Sequence, residues 1–80
     1  MTELQLYKFI HENDIEFKQC ENEGVSDILM FVKISEIEDF NRLCRGVTGV
    51  NCVMKNGYFC FWMNEICDSF GIEIENVFKK

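Results

Sequence analysis

The chain contains no proline, a single histidine and a single tryptophan, and only eight basic residues against fourteen acidic ones. No Gly/Ser-rich or low-complexity stretch is present either, so nothing marks a linker and residues 1–80 are expected to form a single domain. With His11 as the only imidazole, a histidine-built metal site is excluded, and a Cys-His nucleophile would depend on that one residue. A lone histidine near a helix end is more simply read as a residue interacting with the helix dipole. Gly-rich phosphate loops, G-x-S-x-G and H-E-x-x-H are all missing. Two carboxylate pairs, Glu36/Glu38 and Glu73/Glu75, are spaced so that they diverge on a helix, which leaves general acid/base chemistry without support. The chain is therefore read as not an enzyme, with no cofactor.

The five cysteines, at 20, 44, 52, 60 and 67, form no C-x-x-C pair and no zinc spacing. They are read as reduced, small core residues of a cytoplasmic protein without a metal. The first residues, M-T-E-L-Q-L-Y-K, lack the basic segment and apolar run of a secretory signal. Residues 46–64 carry one charge, Lys55, but their alternation makes them a hairpin rather than a membrane span.

The shortage of basic residues gives a net charge of −6, which disfavours nucleic acid and anionic membranes and favours basic partners. Between residues 12 and 27 stand six acidic residues, Glu12, Asp14, Glu16, Glu21, Glu23 and Asp27, against one basic residue, Lys18. The plain reading of this run is a solvated edge; the sharper one is a docking surface for a basic protein.

Apolar residues make up 48% of the chain, and eight of them are Phe. A chain of this length buries roughly 60–65% of its unfolded surface, enough for one core. Thr2 and Gln5 form a capping-box pattern ahead of Leu6, Phe9 and Ile10, predicting a helix over 3–12. Alternation predicts strands over 15–20 and 27–34, with Ile28, Met30, Val32 and Ile34 on one face. Ser35 and Glu38 suggest a second box, and Ile37, Phe40, Leu43, Cys44 and Val47 a helical stripe over about 35–45.

The segment V-N-C-V-M-K-N-G-Y-F-C-F-W-M centres on Asn56-Gly57, a strong type I′ hairpin signal because both positions need positive φ. That register sets Lys55 opposite Tyr58, Met54 opposite Phe59, Val53 opposite Cys60, Cys52 opposite Phe61, Asn51 opposite Trp62 and Val50 opposite Met63. Val50, Cys52, Met54, Phe59, Phe61 and Met63 then share a core face. The other face carries Asn51, Val53, Lys55, Tyr58, Cys60 and Trp62. Leu29 and Phe31 repeat this surplus of apolar residues on the preceding hairpin. A third helix, with Met63, Ile66, Cys67 and Phe70 in phase, ends at Gly71.

The expected fold is α+β, in the order α-β-β-α-β-β-α, with a four-stranded antiparallel sheet and helices packed mainly on one face. Residues 3–34 and 36–63 both read helix, strand, strand, the pattern an old duplication would leave. The segment E-I-C-D-S-F-G-I-E-I-E-N-V-F-K-K resembles the turn of a helix-turn-helix, through Cys67, Gly71, Ile72 and Val77. Its second helix opens with Glu73 and Glu75, which would face phosphate, so a packed terminal helix-turn is expected instead.

In size, charge and its compact D-I-L-M-F-V and N-G-Y-F-C-F-W strands, the whole chain resembles the short, acidic proteins of unknown function carried by bacterial phages and conjugative elements. The resemblance transfers no site residue. Two functional readings follow from the residues. The first is an interaction module binding itself or a protein partner through Leu29, Phe31, Val53, Tyr58 and Trp62, provided the third helix does not cover them. The second is an inhibitor or nucleic-acid mimic presenting the acidic run to a basic host nuclease.

Overall fold

A computed structural model describes residues 1–45 and 52–78. Helix α1 spans Glu3–Glu12 and begins at the expected capping box: the Gln5 amide donates to Thr2 Oγ1 at 3.2 Å, and the Thr2 amide to Gln5 Oε1 at 2.8 Å. It ends where Asp14 takes a positive φ of 48°, with the Asn13 side chain donating to the Phe9 carbonyl at 2.8 Å.

Strands β1 (Glu16–Asn22) and β2 (Val25–Lys33) pair antiparallel. Both run past the inner ends expected from alternation, because the E-N-E-G segment compresses into a two-residue turn. Glu23 and Gly24 both adopt positive φ, 52° and 81°, and Asn22 pairs directly with Val25.

The chain leaves β2 one residue earlier than expected. Ile34 opens a 3₁₀ turn, Ile34–Glu36, and is 58% exposed instead of joining the core face. Helix α2 follows over Ile37–Leu43 and carries no Ser35–Glu38 box; the Glu36 carboxylate instead accepts from the Lys33 amide at 3.2 Å. Val47 and the glycines at 46 and 49 lie outside the described residues.

Strands β3 (Cys52–Lys55) and β4 (Tyr58–Trp62) form the second hairpin, with Asn56 and Gly57 at φ 50° and 83°. Every predicted pair from Lys55–Tyr58 to Cys52–Phe61 is present; the pairs of Val50 and Asn51 lie outside the described residues. Helix α3 (Met63–Phe70) starts directly from β4 and stops at Gly71, whose φ of 65° lets the Ile72 amide return to the Cys67 carbonyl at 2.9 Å. Helix α4 spans Ile74–Phe78, so the predicted terminal helix-turn is formed.

The sheet order is β1-β2-β4-β3, all antiparallel. Two hairpins thus meet along their second strands, as two α-β-β units joined there would. The architecture is the expected α+β one. Leu6, Phe9 and Ile10 of α1, Phe40 of α2, Met63, Ile66 and Cys67 of α3 and Val77 of α4 all enter one buried cluster with Met30, Val32 and Phe61. These three strand residues share one face of the sheet, so all four helices pack on that side. One expectation for that face fails: Cys52 and Met54 of β3 are exposed, Met54 by 54%, because this edge strand lies beyond the helical layer.

Candidate binding face of the sheet

The register assembles the second face row by row. Lys33, Tyr58 and Lys55 form one row across β2, β4 and β3. Glu16, Phe31, Cys60 and Val53 form the next across all four strands, followed by Lys18, Leu29 and Trp62. The five residues singled out from sequence, Leu29, Phe31, Val53, Tyr58 and Trp62, therefore lie together on one face.

Their burial divides them by role. Leu29 and Cys60 sit on the two central strands and are 4% and 1% exposed. They form the floor, with Trp62 directly opposite Leu29 and Phe31 directly opposite Cys60. Phe31, Tyr58 and Trp62 are half-buried, and Val53 is 51% exposed. The Phe31 and Tyr58 rings meet edge to face, with centroids 5.9 Å apart. Among the described residues a concavity of about 430 Å³ lies between α1 and α2, lined by Gln5, Lys8, Glu12 and Arg42 among others.

The acidic run does not assemble into one surface. Glu12, Asp14 and Glu16 stand where α1 passes into β1, while Glu21 and Glu23 sit at the far hairpin, about 17 Å along the strand. Glu16 lies on the aromatic face, whereas Glu21 points to the opposite one. Asp27 is 6% exposed and structural. Its Oδ1 accepts from the Ile28 amide at 2.7 Å and, across the fold, from the Asn64 amide at 3.2 Å in the first turn of α3.

His11 also has a structural place. Its Nε2 donates to the Val77 carbonyl at 3.2 Å and its ring lies 4.2 Å from that of Tyr7, so it ties α1 to α4. Among the described residues no group of three or more His, Cys, Asp or Glu is placed to hold a metal ion, and no helix is long and apolar enough to cross a membrane.

No family model, curated protein or solved structure matches the chain. Its chemistry therefore has to be read from its own residues.

All five thiols are free, with Cys52 exposed, Cys20 and Cys44 half-buried, and Cys60 and Cys67 buried. Cys52 and Cys60 lie on opposite faces, as the hairpin register predicts. Burial raises the pKa of Cys44 and Cys60; on Cys60 the nearby Lys55 ammonium partly offsets it. Cys67 is pushed up to about 11, first by burial and then by the carboxylates of Asp68, Asp27 and Glu3. These buried thiols remain protonated at neutral pH and are poor nucleophiles.

An alkaline instability follows. An unfolded thiol ionises near 9.0, whereas folded Cys67 holds its proton to about 11. Stability is thus fully present below pH 9 and is lost as pH rises from 9 to 11, by about 2 kcal/mol for this group. The urea midpoint is expected to fall between pH 8.5 and 10.5 by clearly less in Cys67→Ala than in the wild type. Equal slopes in the two proteins would show that Cys67 does not set the effect.

The signal for Lys18 was present but needed the turn. Once Glu23-Gly24 is recognised as a two-residue loop, Lys18 falls opposite Leu29 and joins Lys33 and Lys55 on the aromatic face. No local pattern pairs Asp27 with Asn64, which lie 37 residues apart.

Proposed function

We propose that this protein is a non-enzymatic interaction module that binds another polypeptide through the open face of its sheet. One observation carries the reading: among the described residues all four helices pack against the opposite face, leaving Phe31, Tyr58 and Trp62 partly exposed around a closed floor of Leu29 and Cys60. Tyr and Trp suit such a role because they bury much area at small rotamer cost while keeping a polar atom for a partner. The setting is that of a cytoplasmic accessory factor of a bacterial phage or conjugative element, which accords with the general resemblance and with five unpaired thiols. The dispersal of the acidic run removes the main support for an inhibitor acting through that edge.

The test compares the wild type with a Tyr58→Ala/Trp62→Ala variant as immobilised baits in a reduced bacterial extract. The wild type is expected to retain a partner that the variant loses, while the two share circular dichroism spectra and melting temperatures within a few degrees. Equal retention by both baits would remove the sheet face from the account.

A further inference from the structure

The open face has a charge opposite to that of the whole molecule. Of the fourteen acidic residues only Glu16 and Asp27 lie among its paired positions, and Asp27 is buried with its Oδ1 engaged. Three of the eight basic residues, Lys18, Lys33 and Lys55, stand on it exposed. None of these ammonium groups forms an ion pair among the described residues, where the surface ion pairs are those of Arg42 with Asp39 and Glu38. Three unpaired cations thus frame Phe31, Tyr58 and Trp62 against one exposed carboxylate. The acids of the helical layer lie behind the sheet, and salt screening, with a length of about 8 Å at physiological ionic strength, weakens their field on this face. A ligand on the sheet face feels the lysines.

Resting on the interaction-module reading, we infer that the partner presents a short, extended polypeptide segment in which Asp or Glu residues flank apolar ones. Whole-chain charge favours basic partners, but local charge governs a contact of this size. Four strands are about 19 Å across and five residues about 17 Å long, giving a footprint of roughly 300 Å². A standard stable interface takes about 800 Å² from each partner, so the face suits a peptide segment better than a second globular surface.

A second copy packed face to face about a two-fold axis would set three lysines and one glutamate against the same set, which repels. Single-stranded nucleic acid fits less well too. Its charge recurs at every nucleotide, so a strand crossing the face would continue past the lysines towards Glu16, Glu12 and Asp14. The Phe31 and Tyr58 rings also stand edge to face, so they do not present two parallel stacking surfaces to successive bases.

The experiment is a selection of random dodecapeptides displayed on phage against the folded wild-type chain under reducing conditions. Recovered peptides would then be titrated singly while following Trp62, the only tryptophan, by fluorescence. Enrichment of Asp and Glu beside Leu, Val or Phe is expected, with binding that shifts Trp62 emission and weakens as salt is raised. A Lys18→Glu/Lys33→Glu/Lys55→Glu variant, altered only at exposed positions, should lose affinity by about tenfold.

Neutral or basic selected peptides whose binding is lost in Tyr58→Ala/Trp62→Ala would overturn the acidic partner and leave the face standing. Peptides indifferent to that double variant, or no binders at all, would overturn both readings. An oligo-dT strand that binds more tightly than the selected peptides, or a concentration-dependent dimer in light scattering that is lost in Trp62→Ala, would also overturn the acidic segment.

Discussion

Phe40→Ala is expected to lower the free energy of unfolding by about 3–5 kcal/mol, the usual range for removing a fully buried phenylalanine. Phe40 is completely buried, with ring centroids 5.1 Å from Phe9 on α1 and 4.8 Å from Phe61 on β4. It is also the one fully buried residue of α2, a helix of only seven residues. Helices so short do not persist in water without packing, so losing this ring undocks the helix as well as opening a cavity. An eighty-residue chain has a total stability of roughly 4–12 kcal/mol, and the variant should sit near or past its unfolding midpoint in mild urea. Phe40→Leu keeps most of the volume and should cost about 1–2 kcal/mol. The two urea midpoints measure this directly. A loss below about 1 kcal/mol for the alanine would mean that Ile37 and Leu43, at the margin of the core, hold α2 unaided.

The contrast between Phe40 and Met54 shows what was legible in the sequence and what was not. Both follow a clear apolar period, helical for one and alternating for the other, and both positions on their elements came out as read. Period reports which side of an element a residue occupies, but not whether anything lies over that side. Phe40 faces the sheet; Met54 faces the helical side from an edge strand that the helical layer does not reach. The Asn56-Gly57 turn was fully legible because its backbone requirement is local. Glu23-Gly24 was less so, since Glu takes positive φ at a cost that only the pairing of β1 with β2 repays. The five aromatic-face residues were legible as a set because the register of each hairpin groups them. Which of them form the floor and which stay open depended on β2 pairing with β4, a contact between hairpins that no local pattern encodes.

Asp27 is the residue whose role depended most on tertiary structure, and its removal should have the second-largest effect. Helix α3 begins directly from β4, so the residue at its N-cap is Trp62, which has no side-chain acceptor to offer the first turn. Asp27, on the neighbouring strand just beyond the last β2–β4 pair, supplies that acceptor to the Asn64 amide. Its negative charge also lies at the positive end of the α3 dipole. Asp27→Ala removes cap and charge together inside a buried site and should cost about 2–3 kcal/mol; Asp27→Asn keeps an oxygen acceptor without the charge and should cost about half as much. Amide exchange gives the sharper readout. Asn64 should lose protection in Asp27→Ala while the Met30–Phe61 ladder between β2 and β4 keeps its own, because the defect is confined to one helix end. Unchanged exchange at Asn64 would show that the α3 terminus is satisfied without Asp27. Trp62 is both the N-cap of α3 and a member of the aromatic face, so loosening the start of α3 is expected to loosen the placement of that ring. Partner affinity should therefore fall in Asp27→Ala although residue 27 is buried and touches no ligand, and should recover in part in Asp27→Asn.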